Sequence, residues 1–258
     1  YTSEFQGTWA VTWTVDAAAD TALLTVNQAE AVEVDVQPDP ETVTAGESVT
    51  YTLTAEDVYG NPWDVTDESL FETEPGAGGA FAGNVYASEN VGTWEVTGTY
   101  DSLSATAQLT VNPAAAVVVT LTPSPETVTA GESVTYTLTA EDASGNTWDV
   151  TDGSSFEIEA GAGGAFAGDV YASENAGTWV VTGTHAGVSD TAHLTVNPAA
   201  VVTVSLTPAA ETVSAGESMT YTLTAQDAFG NAWDATAEGA YDIEHGAGGS
   251  FAANVYTS

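Results

Sequence analysis

Between Glu47 and Glu56 the chain alternates: Val49, Tyr51, Leu53 and Ala55 fall on one side, Ser48, Thr50, Thr52 and Thr54 on the other. A period of two with threonine outward predicts a half-buried strand. Gly92–Tyr100 alternates in the same way, with Trp94 and Val96 inward, and Ser104–Val111 sets Ala105, Ala107, Leu109 and Val111 on one face. Ala31–Val36, Trp63–Thr66, Ser69–Glu74 and Ala80–Ala87 read as four further strands, which makes seven in all. The polar punctuation agrees: Gly60-Asn61, the run Pro75-Gly76-Ala77-Gly78-Gly79, Asn90-Val91-Gly92 and Asp101-Ser102 are turn and hairpin signals. No stretch combines helical periodicity with capping residues. Short strands at regular spacing between turns predict a β-sandwich.

The pattern then repeats. Glu41–Asn112 aligns without gaps on Glu126–Asn197, 85 positions on, with 56 of 72 residues identical. A third copy begins near Pro198, where Glu211–Ser218 matches Glu41–Ser48, and runs to Ser258 without its last third. That third stands at the other end, because Tyr1–Asn27 aligns on Tyr86–Asn112. The expected organisation is therefore residues 1–27 as the last two strands of a unit, 28–112 and 113–197 as complete repeats, and 198–258 as the first five strands of a unit. The joints Asn112-Pro113-Ala114-Ala115 and Asn197-Pro198-Ala199 are short and stiffened by proline, which predicts a semi-rigid rod.

The ends overlap, since Tyr1-Thr2-Ser3 recurs as Tyr256-Thr257-Ser258 where the internal copies carry alanine at the middle position. Two readings follow: copies that complement one another head to tail by strand exchange, or a window of a longer polypeptide with the same period. With no initiator methionine and no signal-peptide pattern, the chain reads as a mature product or a fragment.

Composition narrows the class. The chain carries 37 acidic residues and no Lys or Arg, a formal charge of −37. No Lys/Arg side chain exists to neutralise phosphate, which excludes nucleic acid, and anionic headgroups would repel the surface. Counter-cations must come from the medium. Trypsin-like proteases find no cleavage site. Disorder, the other common meaning of high charge, is countered by 43% hydrophobic residues with seven Trp, ten Tyr and seven Phe. Cysteine is absent, so packing or bound ions must supply stability. No apolar run is long enough to span a membrane.

The strings Val43–Thr52, Asp57-Val58-Tyr59-Gly60-Asn61-Pro62, Val85-Tyr86 and Gly92-Thr93-Trp94-Glu95-Val96 resemble bacterial Ig-like domains. These are the tandem modules of invasin- and intimin-type surface proteins and of prokaryotic cell-surface arrays. The resemblance implies an all-β fold of tandem immunoglobulin-like sandwiches and a place outside the cell or at its surface.

Candidate chemistry is sparse. Glu56, Asp57, Asp64 and Asp67 recur as Glu141, Asp142, Asp149 and Asp152, and such oxygens could hold Ca²⁺. The third copy keeps Asp227 and Asp234 but has Gln226 and Ala237, and a solvated acidic face is the competing reading. His185, His193 and His245 align with Tyr100, Gln108 and Pro75, so they read as surface variants. Trp9, Trp94 and Trp179 read as core, and Trp63, Trp148 and Trp233 as core or junction. No nucleophile–base set, phosphate loop or zinc spacing is present, so no catalytic residue and no cofactor other than the Ca²⁺ above is expected. The expectation is a non-enzymatic extracellular structural protein, a filament or stalk whose partners are copies of itself. The alternative is the spacer of a large adhesin whose binding head lies elsewhere.

Overall fold

A computed structural model describes residues 3–258; the Tyr1-Thr2 pair that opens the repeated Tyr-Thr-Ser lies outside them. The first element is a hairpin of β1 (Gly7–Val15) and β2 (Ala18–Val26), paired from Gly7↔Val26 to Val15↔Ala18. Asp16 takes φ 54° in its two-residue turn, the left-handed conformation that Asp tolerates and tight hairpins need.

Next come β3 (Ala31–Gln37), β4 (Glu41–Thr44), β5 (Ser48–Thr50), β6 (Thr52–Asp57), β7 (Pro62–Asp64), a 3₁₀ turn at Thr66–Glu68, β8 (Leu70–Thr73), β9 (Ala80–Ala82), β10 (Val85–Ala87), β11 (Gly92–Tyr100) and β12 (Leu103–Asn112). They form a four-stranded sheet β4-β12-β11-β8 and two three-stranded sheets, β3-β6-β7 and β5-β10-β9. Val36, Leu53 and Ala55 meet Val96, Ala107, Leu109 and Val111 in one apolar core. Every buried position among these is an inward one of the alternating strands, so the period of two is what builds the core. At Gly98 the chain is so tightly packed that a Cβ would stand 2.8 Å from Leu53 Cδ1 in the facing sheet and 3.2 Å from Phe71 Cε1 on the neighbouring strand β8.

Four details differ from the sequence expectation, the smallest being that Trp63–Thr66 is a strand only as far as Asp64, Thr66 opening the 3₁₀ turn. Glu47–Glu56 is two strands, because Tyr51 N–H donates to Asn84 O at 2.9 Å; β5 pairs with β10 before it and β6 with β3 after it. Ala80–Ala87 is likewise two strands about a turn at Gly83-Asn84. Glu41–Thr44, which alternates too briefly to be read as a strand, is one, parallel to Leu109–Asn112.

The second repeat reproduces this plan, with a four-stranded sheet that pairs Glu126–Thr129 in parallel with Leu194–Asn197 and a core around Leu121, Tyr136, Leu138, Val181 and Leu194. Residues 198–258 form only two three-stranded sheets, the counterparts of β3-β6-β7 and β5-β10-β9. The whole is an all-β arrangement of tandem immunoglobulin-like sandwiches. By contact the chain separates into two compact units, one holding everything up to Ala115 together with Glu141–Thr147, the other Ala116–Ala140 and Trp148–Ser258. Among the described residues no helix is long and apolar enough to cross a membrane.

Candidate functional site

A dense polar network lies where β6 turns into β7. Gly60 adopts φ 80°, which a glycine takes without steric cost, and its N–H donates to Asp57 O at 3.0 Å. This turn folds Asn61 back beneath Asp57. The Asp57 carboxylate accepts from Tyr59 N–H, Asn61 N–H and Asn61 Nδ2, each at 3.0 Å, on Oδ1. Its Oδ2 accepts from Asn61 Nδ2 and from Ala29 N–H, both at 2.9 Å. Ala29 belongs to the link between β2 and β3, so Asp57 ties the linker down. Asn61 then reaches the preceding segment: Nδ2 donates to Glu4 O at 2.8 Å and Oδ1 accepts from Gln6 N–H at 3.0 Å.

The same joint is built twice more. Asp142 accepts from Ala114 N–H at 3.0 Å, while Asn146 donates to Glu89 O at 2.9 Å and accepts from Val91 N–H at 2.9 Å. This is why Glu141–Thr147 belongs with the first compact unit. Within the second unit, Asp227 accepts from Ala199 N–H at 2.8 Å, and Asn231 donates to Glu174 O at 3.0 Å and accepts from Ala176 N–H at 2.7 Å. Burial alone would push these carboxyls up. The Asn side chain and the backbone N–H donors outweigh it, holding Asp57 and Asp227 at about 2 and Asp142 below the usual carboxylate range. At the third joint Phe229 lies against the preceding repeat, with its Cζ 2.6 Å from where a Gly131 Cβ would stand. Phe229 remains 40% exposed, and its counterpart at the first joint, Tyr59, is 50% exposed.

The carboxylates expected to hold Ca²⁺ divide by task. Asp57 and Asp142 are buried in the joints. Asp64 and Asp149 accept from the backbone N–H of Thr66 and Thr151, at 2.9 and 2.8 Å, and so close the following turn. Glu56, Asp67, Glu141 and Asp152 are exposed. Among the described residues no group of three or more His, Asp or Glu is gathered to hold a metal. The positions that change in the third copy, Gln226 and Ala237, are counterparts of the exposed ones; Asp234 still caps Thr236 at 2.9 Å. The sequence signal for the joint was therefore available: Asp-x-x-Gly-Asn survives in every copy while the exposed Glu56 and Asp67 positions do not.

His185 Nδ1 lies 3.2 Å from Ser154 Oγ, and His245 is exposed. Trp94 and Trp179 are half-buried against the cores, each donating from Nε1 to the carbonyl four residues earlier, Asn90 or Asn175, at 2.9 Å. Trp63 and Trp148 also pack against the cores. What these groups can do chemically is hold the chain to itself.

Against known proteins, no family model and no curated protein matches the chain. Solved structures of similar build include Yersinia pseudotuberculosis InvD, at 17% identity and TM-score 0.45, covering 78% of this chain and 71% of that one. Domains 4–9 of the surface layer protein SbsC give 19% identity and TM-score 0.29 over 89% of this chain and 43% of that one. The titin Ig tandem domains give 9% identity and TM-score 0.33 over 64% and 96%. This chain spans less than half the length of that SbsC structure, and the functional reading below rests on the chain's own residues.

Proposed function

We propose that this is an extracellular structural protein, a length-giving element of a cell-surface filament or stalk. The observation that carries the reading is the joint, built three times from the same Asp and Asn onto the main chain of linker and preceding segment. A binding or catalytic module needs one unit to differ, whereas a spacer needs its connections alike and tolerates near-identity in its units. Composition supports the place: a surface without Lys or Arg offers nothing to nucleic acid or to anionic membrane and no site to trypsin-like proteases. Antibody against the chain should label the surface of intact source cells, and electron microscopy should show the label along continuous filaments. Label confined to the interior overturns the reading. Label confined to short projections that end in a different domain makes the chain the spacer of an adhesin.

A further inference from the structure

One turn differs in backbone between copies that otherwise match. In the first repeat Thr66–Glu68 is the 3₁₀ turn, and Glu68 N–H donates to Val65 O at 3.0 Å. In residues 198–258 the counterpart Glu238 N–H donates to Ala235 O, again at 3.0 Å. The second repeat carries Gly153 at this place. There φ is 109°, a conformation that glycine takes readily and other residues do not. The 3₁₀ turn is absent, and among the described residues the Gly153 N–H has no backbone acceptor.

The flanks of this turn are tied and its centre is free. Asp149 accepts from Thr151 N–H at 2.8 Å, and Thr151 Oγ1 accepts from Leu138 N–H at 2.9 Å. On the other side Ser154 N–H donates to Thr151 O at 3.3 Å, and Ser154 Oγ donates to Val150 O. Asp152 and Gly153, between these anchors, are both exposed. A Cβ placed on Gly153 would meet nothing within 4 Å, so the space beside the peptide bond is open. Asp152-Gly153 is also the one Asp-Gly step in the sequence, and no Asn-Gly step occurs.

We propose that Asp152-Gly153 is a self-modifying site, where aspartate converts to isoaspartate in the folded protein without an enzyme. The Gly153 nitrogen attacks Cγ of the Asp152 carboxyl in its neutral form. A bond forms between them, the amide proton and the carboxyl hydroxyl leave together as water, and a five-membered succinimide ring closes. Water then adds to one of the two ring carbonyls, and the bond from that carbonyl to nitrogen breaks. Addition at Cγ restores aspartate. Addition at the main-chain carbonyl leaves the chain running through Cβ and Cγ, with the former main-chain carbonyl as a free carboxylate. No oxidant, reductant or cofactor enters, and the formal charge is unchanged.

Three requirements meet at this step: an attacking nitrogen with no acceptor to hold it, no side chain on the following residue to crowd the ring, and exposure to the water that opens it. Asp67 fails the first two, because Glu68 is bonded through its N–H and carries a side chain. The third copy has Ala237 in place of the aspartate and has no carboxyl to react. The second repeat alone therefore records the age of the chain. Its product is an α-carboxylate on an exposed turn, the class of substrate that isoaspartyl carboxyl methyltransferases take.

The chain offers its own control. Cleavage after aromatic residues releases 149–156, between Trp148 and Phe156, and the counterpart 64–71, between Trp63 and Phe71. Folded full-length chain should be held for weeks at neutral pH and physiological temperature and then cleaved. Peptide 149–156 should accumulate an isomer of unchanged mass with isoaspartate at 152, preceded by a form lighter by one water. It should also accept methyl groups from S-adenosylmethionine when an isoaspartyl methyltransferase is added, whereas 64–71 should remain aspartate throughout. Gly153→Glu, which installs the residue that the first repeat already folds with, should lose the isomer and keep the native circular dichroism. The proposal is overturned by aged folded chain in which 149–156 stays wholly aspartate, or by conversion that occurs in urea and not in the folded chain. Equal conversion in 64–71 of the same molecules overturns it too, whether or not the Gly153→Glu chain folds.

Discussion

Residues 113–197 and 198–258 start from nearly the same sequence and end in different states. Leu121 and Leu138 are buried in a closed core, and their counterparts Leu206 and Leu223 are not. Glu126–Thr129 is a strand, and Glu211–Ser214 is irregular chain. The difference isolates what the last two strands contribute. They add their own apolar residues, and they also convert two neighbouring segments into strands by offering them backbone partners. Strand here is a property of a pair and less of a string of residues, as context-dependent β-propensity leads one to expect.

The largest test of this contrast is a cavity. Leu138→Ala should cost about 2–5 kcal/mol by chemical denaturation, the usual range for a closed core. Leu223→Ala, at a half-buried position, should cost under about 1 kcal/mol. Equal costs would mean that the core of residues 198–258 is closed already.

Alkali should distinguish the closed cores next. Burial, reinforced by Glu41 and Glu126, pushes the Tyr51 and Tyr136 hydroxyls up to about 12. A raised folded-state value means that their contribution is fully present below the ordinary value near 10 and is lost as pH rises from about 10 to about 12. Neither hydroxyl has a hydrogen-bond partner, so Tyr136→Phe should be neutral or stabilising by about 1 kcal/mol at neutral pH. It should also flatten the alkaline loss of melting temperature for the second repeat; an unchanged profile would discount the ionisation.

The joints give a smaller effect. Asn146→Ala removes two bonds to Glu89 and Val91 and should cost about 1–2 kcal/mol, while leaving the cores' alkaline behaviour unchanged. In acid, the depressed Asp57 and Asp227 keep their contribution above the ordinary carboxylate value and lose it as pH falls through about 2. Hydrogen exchange at Ala29 and Ala199 should rise over that interval and not before it. Least of all, added salt should raise the melting temperature by screening the charge of −37. Ca²⁺ at matched ionic strength should add nothing further. An additional rise of several degrees would place a cation on the acidic clusters.

Much of this fold was legible because the inward residues alternate without error over Val49–Ala55 and Ala105–Val111, and a repeat shows every signal more than once. Glu41–Thr44 was not legible, since a four-residue edge strand takes its state from a distant partner. Nor was the break at Tyr51, where alternation continues unbroken while the hydrogen bonds change sheets. At the site, the type of Asp57 pointed to oxygen ligation of a cation. Its task, accepting N–H groups from Ala29 and Asn61, depends on a turn that brings them within reach. Residue type tells what an aspartate can bind, and only the fold tells which donors arrive first.

The joint has a consequence for how such a protein changes over generations. The hydrogen bonds that recur at all three joints run from its Asp and Asn to main chain: Glu4, Glu89 and Glu174 offer carbonyls, and Gln6, Val91 and Ala176 offer N–H groups. Side chains at the receiving positions are free to drift, as Gln, Val and Ala at equivalent places already do. Each 85-residue period thus carries a plug at one end and, at the other, a socket whose recurring hydrogen-bond partners are main-chain groups. Adding or removing a whole period therefore leaves the same main-chain hydrogen bonds available at the new connection, so length can change in steps of one domain.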